Sequence, residues 1–193
     1  MEENIVVLRD WALFWNPNHD VEVLAGFRLC ENSKIFTISP PLISTATPLP
    51  GSFFSTESGL VFGWRGKANL DVCYEGMQNY ITAIENQLQD IKIDGNDFQF
   101  KKEIAFLKDC ILLSNLSDYD KEKIIDSAIL YPCEDGGYRI LDEQSKIMTS
   151  NIIAVDLQNN LFLTESGKVY VHNNLLVADL ESQEFKVLSA LSD

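Results

Sequence analysis

The chain has 193 residues, of which 46% are hydrophobic and 23% are charged, a mixture typical of globular proteins with one large domain or two small ones. Fifteen lysines and arginines against 29 aspartates and glutamates give a formal net charge of −14 and a pI near 4.4. Such a field repels nucleic acid and anionic lipid, so direct binding to either is excluded from the expected functions, whereas basic partners are attracted.

The first forty residues predict β-strands separated by turns. Apolar runs rich in β-branched and aromatic residues occupy 5–8, 11–15, 21–30 and 34–38, and the Pro and Asn residues between 16 and 20 favour a turn. The next stretch, SPPLISTATPLPGS at 39–52, contains four prolines. These exclude a central strand and a helix interior, and they predict a loop or linker.

Three helices are predicted in the middle of the chain. Apolar residues recur at helical spacing in the segments 75–91, 98–113 and 117–132. Ser117 and Asp120 match a capping pattern at the start of the third helix, and Pro132 would end it. In that third helix the buried side is predicted to consist of Ile124, Ile125, Ala128 and Ile129.

The C-terminal part returns to strands and closes with a helix. The strand segments are 138–141, 152–155, 160–164, 168–172 and 175–177. From Ser182 a last helix would place Phe185, Leu188 and Leu191 on one face. This order predicts an α+β fold in which N- and C-terminal strands form antiparallel sheets around a central group of about three helices. We expect residues 1–193 to form a single domain, with 39–52 as the place where a boundary would fall.

One short pattern occurs twice. Residues 54–62 read FSTESGLVF and residues 162–170 read FLTESGKVY, 108 positions apart. Thr-Glu-Ser-Gly between two apolar runs predicts a β-hairpin, because Gly adopts a positive φ at little steric cost. The similarity does not continue on either side, so the sequence favours two independent hairpins over a duplicated module.

The common catalytic and cofactor motifs are absent from the sequence. There is no GxSxG, no phosphate-binding loop and no HExxH, and the only histidines are His19 and His172. The segment 94–97 begins like a calcium loop, but its twelfth position is Ala105 and not the required Glu. We therefore expect no catalytic residues, no metal and no cofactor.

The cysteines and the N-terminus predict a cytoplasmic protein. Cys30, Cys73, Cys110 and Cys133 are scattered and form no CxxC, which is typical of free thiols in a reducing compartment. The first residues, MEENIVVLRDW, are acidic and lack the basic and apolar regions of a signal peptide. No apolar run approaches the roughly 20 residues that would span a bilayer.

Acidic residues concentrate between Ser117 and Glu143. This stretch holds eight carboxylates against Lys121, Lys123 and Arg139. It is either a solvated surface or a patch complementary to a basic protein, for which long-range attraction speeds encounter. The candidate partner-binding residues are therefore Asp118, Asp120, Glu122, Asp126, Glu134, Asp135, Asp142 and Glu143.

Residues 151–191, from the strand 152–156 through the hairpin into 167–171, resemble the C-terminal part of SUKH-superfamily proteins. The resemblance also includes a final helix after Ala178 and Asp179, bearing Ser182, Glu184 and Phe185. These small α+β domains often serve as immunity proteins against bacterial polymorphic toxins. The resemblance implies no catalytic residues and a role as a non-catalytic binder that blocks a toxin domain.

The leading hypothesis is therefore a cytoplasmic bacterial protein of the immunity or antitoxin type, which neutralises a basic toxin or effector by direct binding. The alternative is a structural or adaptor protein, such as a phage or secretion accessory. A hydrolase with a scattered site is the less favoured third reading, since the absence of a motif is only moderate evidence against catalysis. An acidic surface that merely keeps the chain soluble also remains open.

Overall fold

Thirteen strands and two helices make up the described part of the computed structural model. The chain divides into two compact units, residues 1–107 (unit 1) and residues 108–193 (unit 2), and each is described by itself. The prediction of a single domain stays a prediction. The residues that the structure describes are 5–30, 33–43, 53–56, 58–90, 97–133, 136–179 and 184–187.

Unit 1 contains five strands and the two helices. The strands are β1 (Ile5–Asn16), β2 (Val21–Cys30), β3 (Ser33–Ile38), β4 (Phe53–Ser55) and β5 (Val61–Trp64), and the helices are α1 (Leu70–Asp90) and α2 (Asp97–Lys108). The strands form a sheet in the order β3-β2-β1-β5-β4. All pairs are antiparallel except β1–β5, which is parallel.

The longest strand of unit 1 joins two predicted strands into one. Residues 5–8 and 11–15 both lie in β1, and the pairing of β1 with β2 slips by one residue between Arg9 and Ala12. Asp10, inside this bulge, has φ 46°. A bulge adds one residue to one strand and increases the local twist, so the polar Arg9-Asp10 pair interrupts the apolar run without ending the strand.

Helix α1 covers the described part of the predicted segment 75–91 and begins five residues earlier, at Leu70. Cys73, Met77 and Ile81 are buried, at the spacing of one helix face. Asn69 caps the helix, because its Oδ1 accepts from the Val72 N–H at 3.4 Å. The helix packs on β1, β2 and β3. On the other side of the sheet, a cluster is formed by Leu8, Leu24, Leu42, Phe54, Phe62 and Trp64.

The described residues of unit 2 form eight strands. They are β6 (Ile111–Leu113), β7 (Lys121–Pro132), β8 (Tyr138–Asp142), β9 (Ile147–Met148), β10 (Ile152–Asp156), β11 (Leu161–Thr164), β12 (Val169–Asp179) and β13 (Glu184–Val187). Their order is β6-β10-β11-β12-β7-β8-β9, and β13 also pairs with β12. The pairs β6–β10 and β7–β12 are parallel, and the others are antiparallel.

The predicted third helix is wrong, because residues 121–132 form strand β7. Ile124 is 60% exposed whereas Ile125 is 2% exposed, an alternation that belongs to a strand and not to one helix face. A short run of isoleucines fits the period of a helix as well as that of a strand. Their β-branched side chains favour the strand here, because strands β8 and β12 pair with both edges of this segment. Ser117 does not cap a helix; its hydroxyl bonds to Asn115 Oδ1 at 2.6 Å.

The other helix boundaries and the fold class also need correction. The second helix ends at Lys108 and not at residue 113, since Ile111–Leu113 pairs in parallel with β10. The predicted final helix is wrong at 184–187, which form β13; residues 180–183 and 188–193 lie outside the described residues. The described chain is therefore mostly mixed sheet with two helices, and not an α+β fold with antiparallel sheets around three helices.

Both TESG stretches form the predicted β-hairpins. Strands β4 and β5, and strands β11 and β12, pair antiparallel. Gly59 and Gly167 have φ 79° and 78°, a conformation that Gly adopts at the least cost. Their N–H groups donate to the carbonyl oxygens of Thr56 and Thr164 at 2.9 and 2.8 Å. Glu57 lies outside the described residues.

Candidate partner-binding surface

Strands β7 and β12 supply the sheet under the candidate surface. They pair in parallel with Ile124 opposite Val171 and Ile125 opposite His172. Because side chains alternate along a strand, Ile124 and Asp126 share one face of β7 and Ile125 points to the other. Asn173 Nδ2 donates to Asp126 Oδ1 at 2.8 Å, which confirms that these neighbours lie on the same face.

The turn before β7 is held by a buried hydrogen bond and by apolar packing at Leu116. The Leu116 N–H donates to the buried Asp156 Oδ2 at 2.9 Å. Leu116 itself is buried against Leu161 and Val169. The Lys121 ammonium then folds back to the carbonyl oxygens of Ser117 and Tyr119. A buried carboxylate that receives a backbone N–H holds the chain in place, so the turn 117–120 is fixed at the edge of the sheet face.

Four of the predicted carboxylates are exposed and form no ion pair with a described residue. The backbone N–H of one of them, Glu143, donates to the Ser127 carbonyl oxygen at 3.2 Å, and the Gln144 side chain that follows reaches Asp126 at 3.4 Å. We call this set the acidic surface, and its members are Asp118, Asp120, Asp126 and Glu143.

The other four predicted carboxylates are not counted in the acidic surface. Glu122 is ion-paired with Lys168 at 2.6 Å, with both side chains nearly half exposed, so solvent screens the pair and it contributes little to stability. Asp142 is buried, bonds to Lys123 at 2.5 Å and accepts from the Ser145 hydroxyl at 2.6 Å. These two bonds hold the pKa of Asp142 well below its usual range. Glu134 and Asp135 lie outside the described residues.

Two apolar side chains that the sequence analysis did not propose lie beside the acidic surface. Tyr119 is 48% exposed between Asp118 and Asp120, and Ile124 is 60% exposed two residues from Asp126. The predicted helix assigned Ile124 to a buried face, which concealed it. The letters Glu-Lys-Ile-Ile-Asp at 122–126 do not alternate between polar and apolar residues, so the sequence carried no clear signal for the exposure of Ile124.

The surroundings of His19, His172 and Cys73 bear on whether these side chains could take part in catalysis. His172 is buried with its ring 4.8 Å from Phe162, and His19 is exposed with its ring 5.5 Å from Phe106. Burial, and next the charge of Asp10, raises the pKa of the Cys73 thiol to about 12. A thiol with so high a pKa is a poor nucleophile at neutral pH. Cys73 is a free cysteine.

One carboxyl group of unit 1 is strongly perturbed. Glu22 lies opposite Trp15 on the β1–β2 pair, and burial, followed by the charge of Asp20, raises its pKa to about 7. Perturbed carboxyls occur at functional sites and in structural positions alike. Asp20 Oδ1 accepts a hydrogen bond from the Trp15 indole N–H at 3.2 Å.

Two properties of the described residues bear on other site classes. No three His, Cys, Asp or Glu side chains among them are grouped so that they could hold a metal ion. Neither of the helices they form is long and apolar enough to cross a membrane.

Comparison of the chain with protein-family models, with curated proteins and with solved structures found no match. The SUKH resemblance therefore stays a prediction. Its strand 152–156 and the hairpin into 167–171 are present as β10 and β11–β12, whereas Glu184 and Phe185 lie in a strand and not in a helix.

Proposed function

We propose that this chain is a non-catalytic binding protein whose acidic surface captures a basic protein partner. The single observation that carries the proposal is that four exposed carboxylates form no ion pair with a described residue and that two exposed apolar side chains, Tyr119 and Ile124, lie within two residues of three of them in the chain. Protein interfaces combine an apolar centre, enriched in Tyr, with a polar rim. The acidic rim would select partners of positive charge and speed their encounter.

The local charge supports a basic partner. Pairing of Glu122 with Lys168 and of Asp142 with Lys123 neutralises those groups. The acidic surface then carries four negative charges against the exposed Lys121 and Lys146 of the same two turns. The overall net charge of −14 adds a long-range field of the same sign.

A toxin or effector domain is the class of partner we propose, in an immunity or antitoxin role. This part of the proposal rests on the resemblance of residues 151–191 to SUKH immunity proteins and on the acidic surface. A fixed surface suits an inhibitor, since a preorganised binding face loses less entropy on association. The anchored turn after Leu116 and the paired strands β7 and β12 provide such a face.

The test compares proteins captured by wild type and by two charge-matched variants. Asp118→Asn/Asp120→Asn removes two charges of the acidic surface, and Asp71→Asn/Glu75→Gln removes two exposed charges of α1 in unit 1. Tagged proteins are incubated with lysate of the source organism at 50 and 300 mM salt, and bound proteins are identified by mass spectrometry. Screening at higher salt weakens exposed charge pairs.

We expect basic proteins to be bound by wild type and by the α1 variant at low salt, and to be lost at high salt or with the acidic-surface variant. For a purified partner, exposed pairs worth about 0.2–1 kcal/mol each predict about 2- to 30-fold weaker binding for the double substitution. Recovery of the same basic proteins by both variants would contradict the proposal.

The apolar centre is tested by alanine substitution of two isoleucines whose exposed fractions are similar. Ile124→Ala at the acidic surface removes a side chain that is 60% exposed, and Ile147→Ala on β9 removes one that is 63% exposed. Loss of an interface anchor costs about 1–2 kcal/mol, so Ile124→Ala should weaken binding about 5- to 30-fold while Ile147→Ala leaves it unchanged. The reverse order would place the interface at β9.

The adaptor reading is the second candidate because Ile147 and Met148 form a short exposed apolar edge, 63% and 47% exposed. Apolar contact is less sensitive to salt than ion pairing. A partner that is retained at 300 mM salt and released by Ile147→Ala would support the adaptor function instead.

A further inference from the structure

The two units repeat one order of strands. In unit 1 the strands β1, β2 and β3 form an antiparallel meander, and the hairpin β4–β5 returns so that β5 runs parallel beside β1. In unit 2 the strands β7, β8 and β9 form the meander, and the hairpin β11–β12 places β12 parallel beside β7. In both units the first strand therefore lies between the second meander strand and the last hairpin strand.

Both meanders end in the same hydrogen bonds. The Ser39 N–H donates to the Leu24 carbonyl at 2.8 Å, and Ser39 Oγ accepts from the Leu24 N–H at 2.9 Å. Thr149 makes the same pair of bonds with Ile140 at 2.9 and 3.0 Å. Each hydroxyl also donates to the carbonyl oxygen of the following residue at 2.8 Å. Only a hydroxyl is needed for this pattern, so Ser and Thr are interchangeable in it.

The correspondence continues into the hairpins. Three residues after the hydroxyl residue, Leu42 bridges to Thr56 and Ile152 pairs with Thr164, both antiparallel. The hydroxyl of Thr56 donates to the carbonyl of the residue four positions on at 3.0 Å, and that of Thr164 does the same at 3.0 Å. Each of these hydroxyls also contacts the Ser hydroxyl two residues later, at 2.9 and 3.0 Å.

A ring pair occupies the same position in both hairpins. Phe54 stacks on Trp64 with ring centroids 4.7 Å apart, and Phe162 packs on His172 with centroids 4.8 Å apart. Trp64 lies opposite the buried Leu8, and His172 lies opposite the buried Ile125. The imidazole of His172 thus fills the place that the indole fills in unit 1.

The two rings differ in that the imidazole of His172 can take up a proton, whereas the indole of Trp64 cannot. His172 is 1% exposed, and neither ring nitrogen has a hydrogen-bond partner among the described residues. The titratable residues nearest to it in register are Tyr170, Lys123 and Asp126. Lys123 is bonded to Asp142 and Asp126 to Asn173. Burial alone lowers the pKa of His172, to about 4.

We propose that residues 5–64 and 121–172 are two copies of one β-sheet module, and that the imidazole at the shared ring position makes the hairpin β11–β12 open in acid while β4–β5 stays closed. Six features coincide in the two units: the meander, the parallel return, the hydroxyl bridge, the paired residue after it, the hairpin turn and the ring pair. The turn alone could recur by chance, but the order of strands and the hydroxyl bridge are independent of it.

The direction of the acid effect follows from proton binding. The open hairpin exposes His172, which then has an ordinary pKa of about 6.5. Because the closed form binds the proton more weakly, its stability is full above pH 6.5 and falls as the pH drops towards 4. Between pH 7 and pH 5 these two values predict an opening equilibrium about 20-fold larger.

The experiment measures amide hydrogen exchange of both hairpins in the full chain at pH 7 and pH 5, as protection factors corrected for intrinsic exchange. We expect protection of β11–β12 to fall about 20-fold and that of β4–β5 to stay constant. His172→Phe keeps a ring and removes the titration, so it should abolish the fall. His172→Leu provides a second neutral replacement if the phenyl ring is not accommodated.

The reciprocal substitution tests the equivalence of the two copies. Trp64→His should give β4–β5 the acid-dependent opening, and Trp64→Phe controls for the smaller ring. If Trp64→His and Trp64→Phe behave alike at pH 5, the ring positions are not equivalent and the two-copy proposal is overturned. If wild-type β11–β12 keeps its protection at pH 5, or loses it equally in His172→Phe, the acid opening is overturned.

Discussion

Gly76 on α1 sets two physical effects against each other. Replacement of a helical Gly by Ala stabilises a helix by about 1 kcal/mol. A Cβ at Gly76, however, would lie 2.5 Å from Phe36 Cε2 and 2.7 Å from Cδ2. The Phe36 ring cannot move freely, since ring centroids of Phe27 and Tyr80 lie 5.2 and 6.2 Å away. Overpacking of this kind costs about 1–3 kcal/mol.

We therefore expect Gly76→Ala to lower the free energy of unfolding of unit 1 by about 1 kcal/mol, the difference between the overpacking and helix terms. In a Phe36→Ala background the obstacle is gone, and the same substitution should raise it by about 1 kcal/mol. Ala83→Gly, at an exposed position of α1, measures the helix term separately. This reversal of sign is a non-additive coupling between residues in contact.

Tryptophan fluorescence during urea denaturation provides the assay. All three tryptophans belong to unit 1, at positions 11, 15 and 64, so the signal reports unit 1 whether or not unit 2 unfolds in the same transition. If Gly76→Ala stabilises the wild-type background, helix propensity outweighs the contact with Phe36 and the packing argument is wrong. The same conclusion follows if Phe36→Ala leaves the effect of Gly76→Ala unchanged.

Three further predictions concern buried polar groups. Glu22→Gln should raise the free energy of unfolding by about 1–2 kcal/mol at pH 8 and leave it unchanged at pH 4, because the raised pKa of Glu22 costs stability as the pH rises from 4.5 to 7. About half of the linkage value is kept, since the side chain is only partly buried and solvent screens its charge. Equal effects at both pH values would exclude this titration. Tyr138→Phe should be neutral or stabilise by up to about 1 kcal/mol, because its buried hydroxyl has no hydrogen-bond partner in the described part of the chain, and a loss of stability in urea denaturation would reveal one. Asp156→Ala should destabilise by about 2–3 kcal/mol and increase amide exchange at Leu116, whose N–H it accepts; unchanged exchange there would show that the turn is held by packing alone.

The acidic surface belongs to unit 2 and is not a shared feature of the two copies. The residue after Leu8 is Arg9, and the residue after its counterpart Ile125 is Asp126. Both are exposed, so the same place on the sheet carries opposite charge in the two units. At this place the buried Leu8 and Ile125 are alike and the exposed Arg9 and Asp126 differ, as expected if packing constrains the first pair and binding the second.

The sequence did not reveal the proposed duplication, because the interactions that the two copies share do not require identical residues. Ser39 and Thr149 share a hydroxyl, and Trp64 and His172 share a flat ring, but their letters differ. Only the TESG turn needs specific residues, since its Gly must adopt a positive φ. The prediction that the two hairpins are independent is thus challenged by bonds that appear once the strands are paired.

The sequence by itself determined the features whose cause is local. The helix α1 follows from an apolar stripe over about four turns, the two hairpins follow from turn chemistry, and the acidic character follows from composition. The tertiary structure decided what depends on distant partners. Residues 121–132 form a strand because β8 and β12 pair with both of its edges. Asp126 and Asp142 are the same residue type, and the sequence does not distinguish them. In the structure Asp142 is buried against Lys123 and Asp126 is exposed. Burial differs because it is fixed by contacts between segments that lie far apart in the chain.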